Sequence, residues 1–448
     1  MAEPRVPPRA FFSRLPQFAQ NVAFTLGAQV VSVTIAILYN VLIARATGPE
    51  GKGIYSLAIL APMLLSTFTA FNMGAGATYY IGNRKYAPGL VMGNVFSLCA
   101  LLTLVFGVLY LAFLPEISRF AFKGLSTDYL LLSFFIYPAV MLGIPFSGAI
   151  LGSQRIKAAA TIDLLRSFLT LALVAVLLLA FHSGIKGAIA ATAASFWAAL
   201  LAAWLYSRRL EKLTISFSPR MIGDILTYSV KGFVGSVIQL LNYRLDIFLI
   251  NFFMTPVNVG IYSVSVMIAE TIWYIPNAVG YVLFPKISAS DARTADRITP
   301  QVSRITLALT IAAGTGLLLL APHLIGFLFG EQFSGAAAPA AMLIPGVIAL
   351  GITKVLGNDL AARGKPEYPA LTSAVALLLS AGTSIAAIPA YGIAGAAIAT
   401  SLSYCASGIT ISVLYWRHTG NRPWSFLVPG KQDFILLKNA VSGSLNNA

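Results

Sequence analysis

The stretch PEGKGIYS at residues 49–56 returns as PVNVGIYS at residues 256–263, which lies 207 residues further along the chain. A second pair, GIKGAIAAT at 184–192 and GIAGAAIAT at 392–400, is separated by 208 residues. Two independent matches with nearly the same offset predict that the chain contains one structural unit twice. In a strongly apolar chain, an internal repeat of this length is typical of a secondary transporter.

The composition is that of a membrane protein. The chain has 448 residues, of which 58% are apolar and 10% are charged. Soluble domains carry about 25% charged residues, and apolar runs of the length needed to cross a bilayer, about 20 residues, follow one another here. We therefore expect an all-α polytopic membrane protein. Cys99 and Cys405 both lie in apolar segments, so we interpret them as buried apolar side chains rather than a disulfide or metal pair.

Apolar segments and turn signals together predict twelve transmembrane helices. Their expected ranges are 20–44, 53–82, 90–114, 127–152, 158–181, 185–207, 222–252, 258–283, 302–321, 337–361, 367–388 and 393–415. The predicted domains are an N-terminal segment, a six-helix bundle, a linker, a second six-helix bundle and a tail, at 1–19, 20–207, 208–221, 222–415 and 416–448. The N-terminal segment lacks the apolar core and cleavage site of a removed signal peptide.

The basic residues predict the orientation in the membrane. The net charge is +15, and most of the lysines and arginines fall in the two ends of the chain and in the connections after even-numbered helices. The positive-inside rule then places both termini in the cytoplasm. The excess charge is thus a topology signal and a contact for anionic lipid heads, and it does not predict nucleic-acid binding. Because each repeat spans six helices, the repeats are parallel, with a substrate cavity between the two bundles.

The sequence lacks the signatures of an enzyme. It contains neither a phosphate-binding Gly-x-x-x-x-Gly-Lys-Ser/Thr loop nor zinc-type His-Glu-x-x-His spacing, and it has three histidines. A lipid-modifying enzyme would need a catalytic cluster, and none is present. We therefore expect no catalytic residues, no cofactor and no metal.

Helix 7 carries a polar stripe. At 100° per residue, Lys231, Gln239, Asn242 and Asp246 share one face. Charges near the centre of a bilayer cost at least about 2.5 kcal/mol, so such residues are functional candidates. We expect this face to line a wet cavity, while the alternative is hydrogen bonding between helices. Arg244 points away from the stripe, which favours a role in snorkelling or helix pairing.

Other charges fall within helices 5, 8 and 10. Asp163 and Arg166 are spaced to pair on one face of helix 5, or Arg166 faces a phosphate. Lys354 has no acidic residue within one turn, so its partner must come from another helix or from a ligand. Asp359 lies four residues before Arg363 near the cytoplasmic end of helix 10, which predicts a surface pair. Glu270 lies near mid-depth in helix 8 and is a candidate for ion or proton coupling, or else it forms a salt bridge with Lys231 or Arg166.

Two junctions resemble those of a known family. Residues 246–263 resemble the helix 7–8 junction of polysaccharide flippases, and residues 44–55 resemble their helix 1–2 junction. Twelve helices in two halves are similar to the multidrug/oligosaccharidyl-lipid/polysaccharide exporter superfamily. The resemblance covers about residues 21–416.

The resemblance implies a transport function. Members of the family move an undecaprenyl-pyrophosphate-linked oligosaccharide from the cytoplasmic to the periplasmic leaflet of the bacterial inner membrane by alternating access, with proton or sodium coupling. It also implies glycosyltransferases and a polysaccharide polymerase as partners. Under this hypothesis the substrate-binding residues are Lys231, Lys354, Arg166, Gln239, Asn242 and Tyr274, and the coupling residues are Glu270, Asp246 and Asp163.

Two departures from the family pattern keep alternatives open. The chain lacks the two extra C-terminal helices that peptidoglycan-precursor flippases use as a lipid groove, which argues against lipid II as the substrate. The intramembrane charges are also mixed rather than wholly cationic. A multidrug/cation antiporter of the same superfamily is therefore the alternative, and a non-transporting scaffold is the third.

Overall fold

The computed structural model describes residues 15–214, 218–288, 290–428, 430 and 433. Within these residues the chain is helical and contains no strand. Most of the predicted N-terminal segment 1–19 and most of the tail 416–448 lie outside the described residues.

The helices follow one another with short connections. In the first part of the chain they are α1 Leu15–Thr69, α2 Met73–Gly82, α3 Pro88–Ala112, α4 Leu114–Glu116, α5 Thr127–Phe134, α6 Ile136–Gly152, α7 Ile156–Ala175 and α8 Gly184–Leu210. In the second part they are α9 Pro219–Phe253, α10 Pro256–Glu270, α11 Tyr274–Ser288, α12 Ala292–Phe329, α13 Ala337–Ala362, α14 Glu367–Thr419 and α15 Pro423–Leu427. The π-helical turns Ile117–Ala121 and Val176–Ala180 follow α4 and α7, and the 3₁₀ turns Thr271–Trp273 and Glu331–Ala336 follow α10 and α12.

Ten helical segments of the described chain are long and apolar enough to cross a membrane. The predicted all-α polytopic membrane fold is thereby confirmed. Two of the segments contain a kink, at Gly48 in α1 and at Gly392 in α14, where the glycines have φ of 69° and 60°. Division at these kinks gives the predicted helix boundaries there, and the arrangement of twelve helices as two repeats stays a prediction.

Two predicted boundaries differ from the structure. The expected helix 53–82 is interrupted, because Phe71 and Asn72 adopt left-handed backbone angles that a helix cannot contain. The expected long connection 284–301 is wrong, since α12 already begins at Ala292. The carboxylate of Asp291 caps that helix by accepting a hydrogen bond from the backbone N–H of Thr294 at 3.2 Å. A good N-cap residue thus extends a helix that its apolar pattern alone does not predict.

The described chain forms two compact units. The first comprises residues up to Ala46 together with Ala58–Ile117 and Ser126–Val234, and the second comprises Thr47–Leu57, Ser118–Leu125 and the chain from Gly235 onward. In the first unit the buried core includes Met73, Tyr137 and Met141. The predicted division at 208–221 stays a prediction.

The two copies of the repeated stretch pack against each other through glycine. A β-carbon at Gly53 would lie 1.7 Å from the carbonyl oxygen of Pro256, and a β-carbon at Gly260 would lie 1.9 Å from the carbonyl oxygen of Pro49. The contact is reciprocal, since each β-carbon would also lie 2.9 Å from the backbone nitrogen of the other glycine. Two helical backbones can approach this closely only where neither has a side chain, as in other membrane helix pairs.

The glycine contact makes a direct prediction. We expect Gly53→Ala and Gly260→Ala each to lower the free energy of unfolding by about 3 kcal/mol or more, because overpacking displaces backbone rather than a flexible side chain. The matched control is Gly223→Ala in α9, where a β-carbon would meet no atom within 4 Å. Thermal unfolding of the purified variants in detergent measures the effect. Equal unfolding temperatures for all three variants would contradict the contact.

A charge cluster joins the adjacent ends of α12 and α13. Arg363 contacts Asp359 at 2.7 Å and Asp296 at 2.8 Å, and the side chain of Asp359 is fully buried. The hydroxyl of Thr299 donates a further hydrogen bond to Asp359. The sequence predicts Asp359 and Arg363 as a surface pair four residues apart. The pairing is present, but the surface location is wrong because the neighbouring α12 covers it.

The start of the tail docks on the second unit. Phe426 of α15 is fully buried, with its ring 5.2 Å from that of Tyr415. Arg304 of α12 forms a two-pronged ion pair with the carboxylate of Asp433, with distances of 2.6 and 2.9 Å, and also donates to the carbonyl oxygen of Ser425. The tail segment is therefore part of the folded helical unit.

The Arg304–Asp433 pair predicts a pH-dependent stability. The hydrogen bonds from Arg304 hold the pKa of Asp433 below its usual value, so the pair stabilises the fold at all pH values above about 4 and is lost as the pH falls through the lowered pKa. We expect Asp433→Asn to lower the unfolding temperature by a few degrees at pH 7. The difference from the unchanged protein should begin to shrink below about pH 4 and vanish once the pH has fallen through the lowered pKa of Asp433. A difference that persists at low pH would contradict this assignment.

Candidate functional site

An ion pair inside the second unit links α9 and α10. The guanidinium of Arg244 lies 3.2 Å from a carboxylate oxygen of Glu270, and both side chains are only partly exposed. The sequence predicts Lys231 or Arg166 as a salt-bridge partner of Glu270, and this is wrong. Lys231 lies thirteen residues before Arg244 on the same helix, which places it about 20 Å away along the axis. The predicted helix-pairing role of Arg244 agrees with this geometry.

Asp246 is buried beside this pair and accepts three hydrogen bonds. Its carboxylate accepts from the hydroxyl of Tyr262 at 2.7 Å, from the backbone N–H of Ile247 at 2.8 Å and from the hydroxyl of Thr400 at 3.4 Å. Its side chain is 4% exposed. The expectation that Asp246 and Lys231 line one wet face is therefore wrong for Asp246, because tertiary packing turns it toward α10 and α14.

A small cavity separates the two carboxylates. Its lining residues include Asp246, Glu270, Trp273, Thr400 and Tyr404, and its volume is about 10 Å³. A space of this size holds about one water molecule. The cavity can accordingly hold one water molecule or one small cation between two acidic groups.

Lys354 lies over the ring of Trp273. Its ammonium donates to the side-chain oxygen of Asn277 at 2.8 Å and lies 4.7 Å from the centre of the Trp273 ring. The prediction that its partner comes from another helix is confirmed, since Asn277 belongs to α11. An ammonium stacked on an indole is held by a cation–π interaction, which is stronger where water is scarce.

Two polar atoms near this cluster have no partner among the described residues. They are the side-chain oxygen of Asn242 and the indole nitrogen of Trp273, and both are buried. The amide nitrogen of Asn242 is satisfied by the carbonyl oxygen of Ser373 at 2.8 Å. Buried polar atoms are seldom left unpaired, so these two are candidate ligand contacts.

The first unit contains a larger cavity of about 840 Å³. Arg166 and Asp163 line it as a charged pair 3.0 Å apart, which confirms their predicted pairing. The guanidinium of Arg166 lies 4.9 Å from the ring centre of Phe196. The other lining residues are mostly apolar, apart from Thr78, Ser147 and two tyrosines, Tyr79 and Tyr228, whose rings stack at 4.1 Å. The cavity therefore combines one charged pair with an apolar wall.

The remaining predicted residues belong neither to the group around Asp246, Glu270 and Lys354 nor to the lining of the cavity around Arg166. Lys231, Gln239 and Tyr274 are all exposed. Lys231 has no hydrogen-bond or ion-pair partner within the described part of the chain. These three positions stay predictions.

Several buried residues around Asp246 and Glu270 were not predicted as site residues. Tyr262 and Thr400, which contact Asp246, belong to the second copies of the two repeated stretches at 256–263 and 392–400. The repeat itself was the signal that could have identified them. Tyr404 carried no such signal, because its burial depends on packing between helices.

The chain matches the family model described as polysaccharide biosynthesis protein over residues 18–290. Residues 209–429 match the model described as lipid II flippase MurJ. The first model covers more than half of the chain, and the two overlap across α9 and α10, which carry Arg244, Asp246 and Glu270.

Two curated proteins are similar in sequence. A probable low-salt glycan biosynthesis flippase, Agl15, of Haloferax volcanii is 25% identical over 190 residues, which cover 42% of this chain and 40% of that protein. Stage V sporulation protein B of Bacillus subtilis is 25% identical over 197 residues, covering 42% and 38%. The matched region thus spans about two fifths of each curated relative.

Solved structures share the fold. The lipid II flippase MurJ in an inward closed conformation aligns with a TM-score of 0.76 and 16% identity, covering 92% of this chain and 89% of that one. An inward-facing multidrug resistance MATE family transporter aligns with a TM-score of 0.69 and 14% identity, covering 89% and 98%. With the all-helical fold, the apolar spans and the family match over residues 18–290, the chain belongs to the polysaccharide biosynthesis protein family.

Proposed function

We propose that this protein is a flippase that moves an undecaprenyl-pyrophosphate-linked oligosaccharide from the cytoplasmic to the periplasmic leaflet of the bacterial inner membrane. The observation that carries the proposal is the cavity of about 840 Å³ in the first unit, where the Arg166–Asp163 pair lies in an apolar wall. Such a lining suits a ligand that is both charged and lipidic. The flippase named among the relatives and the family match support the same class of substrate.

The phosphate end of the substrate would contact Arg166. Both hydrogen bonds from Arg166 to Asp163 reach the same carboxylate oxygen, through Nε and Nη2. The other terminal nitrogen of the guanidinium is therefore available, and a planar guanidinium binds phosphate in two-pronged geometry. Lys354 would supply a second positive charge in the second unit.

The sugars would contact the aromatic and amide groups. Trp273 and Asn242 each present a buried polar atom without a partner in the described residues, and the stacked Tyr79 and Tyr228 lie at the first cavity. Aromatic rings offer an apolar face together with a polar edge. Gln239, Tyr274 and Lys231 are exposed and complete the proposed substrate-binding set.

Coupling would use the buried carboxylates. Protonation of Glu270 would break its ion pair with Arg244, and a cation entering the small cavity would bridge Glu270 and Asp246. Either event changes the charge balance between α9 and α10, which is the kind of local change that biases alternating access. Asp163 would play the matching role in the first unit. Surface polysaccharide enzymes, namely glycosyltransferases and a polymerase, are the proposed partners.

The first test is neutralisation of Arg166. We expect Arg166→Gln to slow translocation about tenfold or more, because a charged hydrogen bond to phosphate is lost. The assay uses proteoliposomes that contain a polyprenyl-diphosphate-linked oligosaccharide, and a glycosidase added outside cleaves the sugars that reach the outer leaflet.

The control variants isolate the charge at this position. Arg166→Lys retains the charge without the planar fork and should give an intermediate rate. Lys286→Gln removes an exposed positive charge elsewhere and should leave the rate unchanged. Wild-type rates in both Arg166 variants would exclude this residue from substrate binding.

The second test concerns coupling. We expect Glu270→Gln to abolish the response of translocation to an imposed proton or sodium gradient, because the titrating and ion-binding group is gone while the shape is kept. The exposed Glu331→Gln serves as the control of equal chemistry. A gradient response that survives Glu270→Gln and Asp246→Asn would remove both residues from the coupling site.

The alternative function is a multidrug/cation antiporter, which the acidic cluster of Asp246 and Glu270 favours. The same proteoliposomes decide between the two. Exchange of tetraphenylphosphonium for protons or sodium, with no movement of the lipid-linked oligosaccharide, would establish the antiporter and reject the flippase.

A further inference from the structure

A second polar pocket lies in the first unit, at the ends of α2 and α6 and the start of α3. Its volume is about 500 Å³, and its lining includes Arg84, Lys85, Tyr86, Ser153 and Gln154. These residues fall in two connections that the charge distribution assigns to the more basic side of the membrane. The pocket shares none of its lining residues with the cavity around Arg166.

Three donor side chains of this pocket have no partner among the described residues; those of Arg84 and Gln154 are exposed, and that of Ser153 is half-buried. Arg84, Ser153 and Gln154 make no side-chain hydrogen bond or ion pair with the residues that the structure describes. Arg84 and Gln154 both adopt left-handed backbone angles, with φ of 58° at each. A non-glycine residue in this region is uncommon, and here two such turns end α2 and α6 beside each other, since a β-carbon at Gly82 would lie 3.6 Å from the carbonyl oxygen of Gly152. The donors are thus brought together by the ends of two packed helices.

Lys85 is held in position by Asp224, which lies outside the pocket lining. Its ammonium lies 2.7 Å from a carboxylate oxygen of Asp224, which also accepts from the hydroxyl of Tyr86. The hydrogen bond with Asp224 raises the pKa of Lys85, so the ammonium is charged at neutral pH. The ion pair orients Lys85 and leaves Arg84 as the unpaired positive charge of the pocket.

The second unit contains the same helix-end turn with a different outcome. The backbone hydrogen bonds of the two turns correspond one for one: 153 to 149, 154 to 151 and 155 to 150 in the first, and 363 to 359, 364 to 361 and 365 to 360 in the second. In the second turn, Arg363 is neutralised by Asp359 and Asp296. In the first turn, Ser153 and Ala149 occupy the places of Arg363 and Asp359. Among the described residues, the second turn therefore contains both an arginine and an acidic partner, whereas the first turn contains neither at the corresponding positions.

We propose that the pocket lined by Arg84, Lys85, Ser153 and Gln154 binds a phosphate group, carried either by an anionic lipid headgroup or by a free phosphate. Guanidinium, ammonium, hydroxyl and amide groups are the donors that phosphate oxygens accept from, and basic pockets beside membrane helices bind lipid headgroups. The volume of about 500 Å³ accommodates a headgroup. The inference concerns binding alone and does not depend on the proposed transport.

The experiment measures binding in two arms. In the first, the full-length protein is placed in phosphatidylcholine nanodiscs with and without phosphatidic acid, and native mass spectrometry counts the retained phosphatidic acid. In the second, the protein in detergent is titrated with inorganic diphosphate and followed by calorimetry. We expect the double variant Arg84→Gln/Gln154→Ala to bind about tenfold more weakly in the arm that contains the true ligand.

The controls separate the pocket from general charge. Arg209→Gln removes one exposed positive charge of another connection and should not change binding. If the double variant bound weakly only because it is less stable, its unfolding temperature would be lower. Arg84→Lys covers that case, since it retains the charge and should bind with most of the affinity of the unchanged protein. Loss in the nanodisc arm identifies a lipid headgroup, and loss confined to the diphosphate arm identifies a free anion. Equal binding by the unchanged protein and the double variant in both arms would overturn the proposal.

Discussion

The backbone contact between Gly53 and Gly260 is the constraint on which the functional cluster depends. It brings the two copies of the repeated stretch together, because neither helix has a side chain at the point of approach. Two residues after Gly260, Tyr262 donates to the carboxylate of Asp246. The stretch that permits close packing therefore also orients an acidic group in the membrane. The second repeated stretch ends at Thr400, which contacts the same carboxylate.

The residues that correspond under the predicted repeat differ in chemistry. With an offset of 207 residues, Tyr39 occupies the position of Asp246 and Met63 that of Glu270. The second unit consequently contains the buried acidic cluster and its Arg244 partner, whereas the first unit contains the larger cavity with the Arg166–Asp163 pair. The helix-end turns differ as well, since Arg363 of the second unit pairs with Asp359 and Asp296, whereas Ser153 occupies the corresponding place in the first unit. The two units thus differ in where their charged side chains lie and in how those charges are paired.

Much of the fold follows from local sequence, and the site follows less well. Apolar length, turn residues and the Asp163–Arg166 spacing predict features that the structure contains, because each depends on neighbours within a few residues. Glu270 was expected to pair with Lys231 or Arg166, and the surface location expected for Asp359 was also wrong. Both errors concern which neighbouring helix packs against a charged side chain. The pattern of residues along one helix does not identify that neighbour.

The sequence by itself determined that this is a helical membrane protein with an internal repeat, and it identified Arg166, Asp246, Glu270 and Lys354 as charges in apolar segments. Those properties depend on composition and periodicity, which are local. The tertiary structure alone decided their partners: Arg244 for Glu270, Tyr262 and Thr400 for Asp246, and Asn277 with Trp273 for Lys354. A charge in the membrane must find a partner or a wet surface. Which one it finds depends on the helix packed beside it.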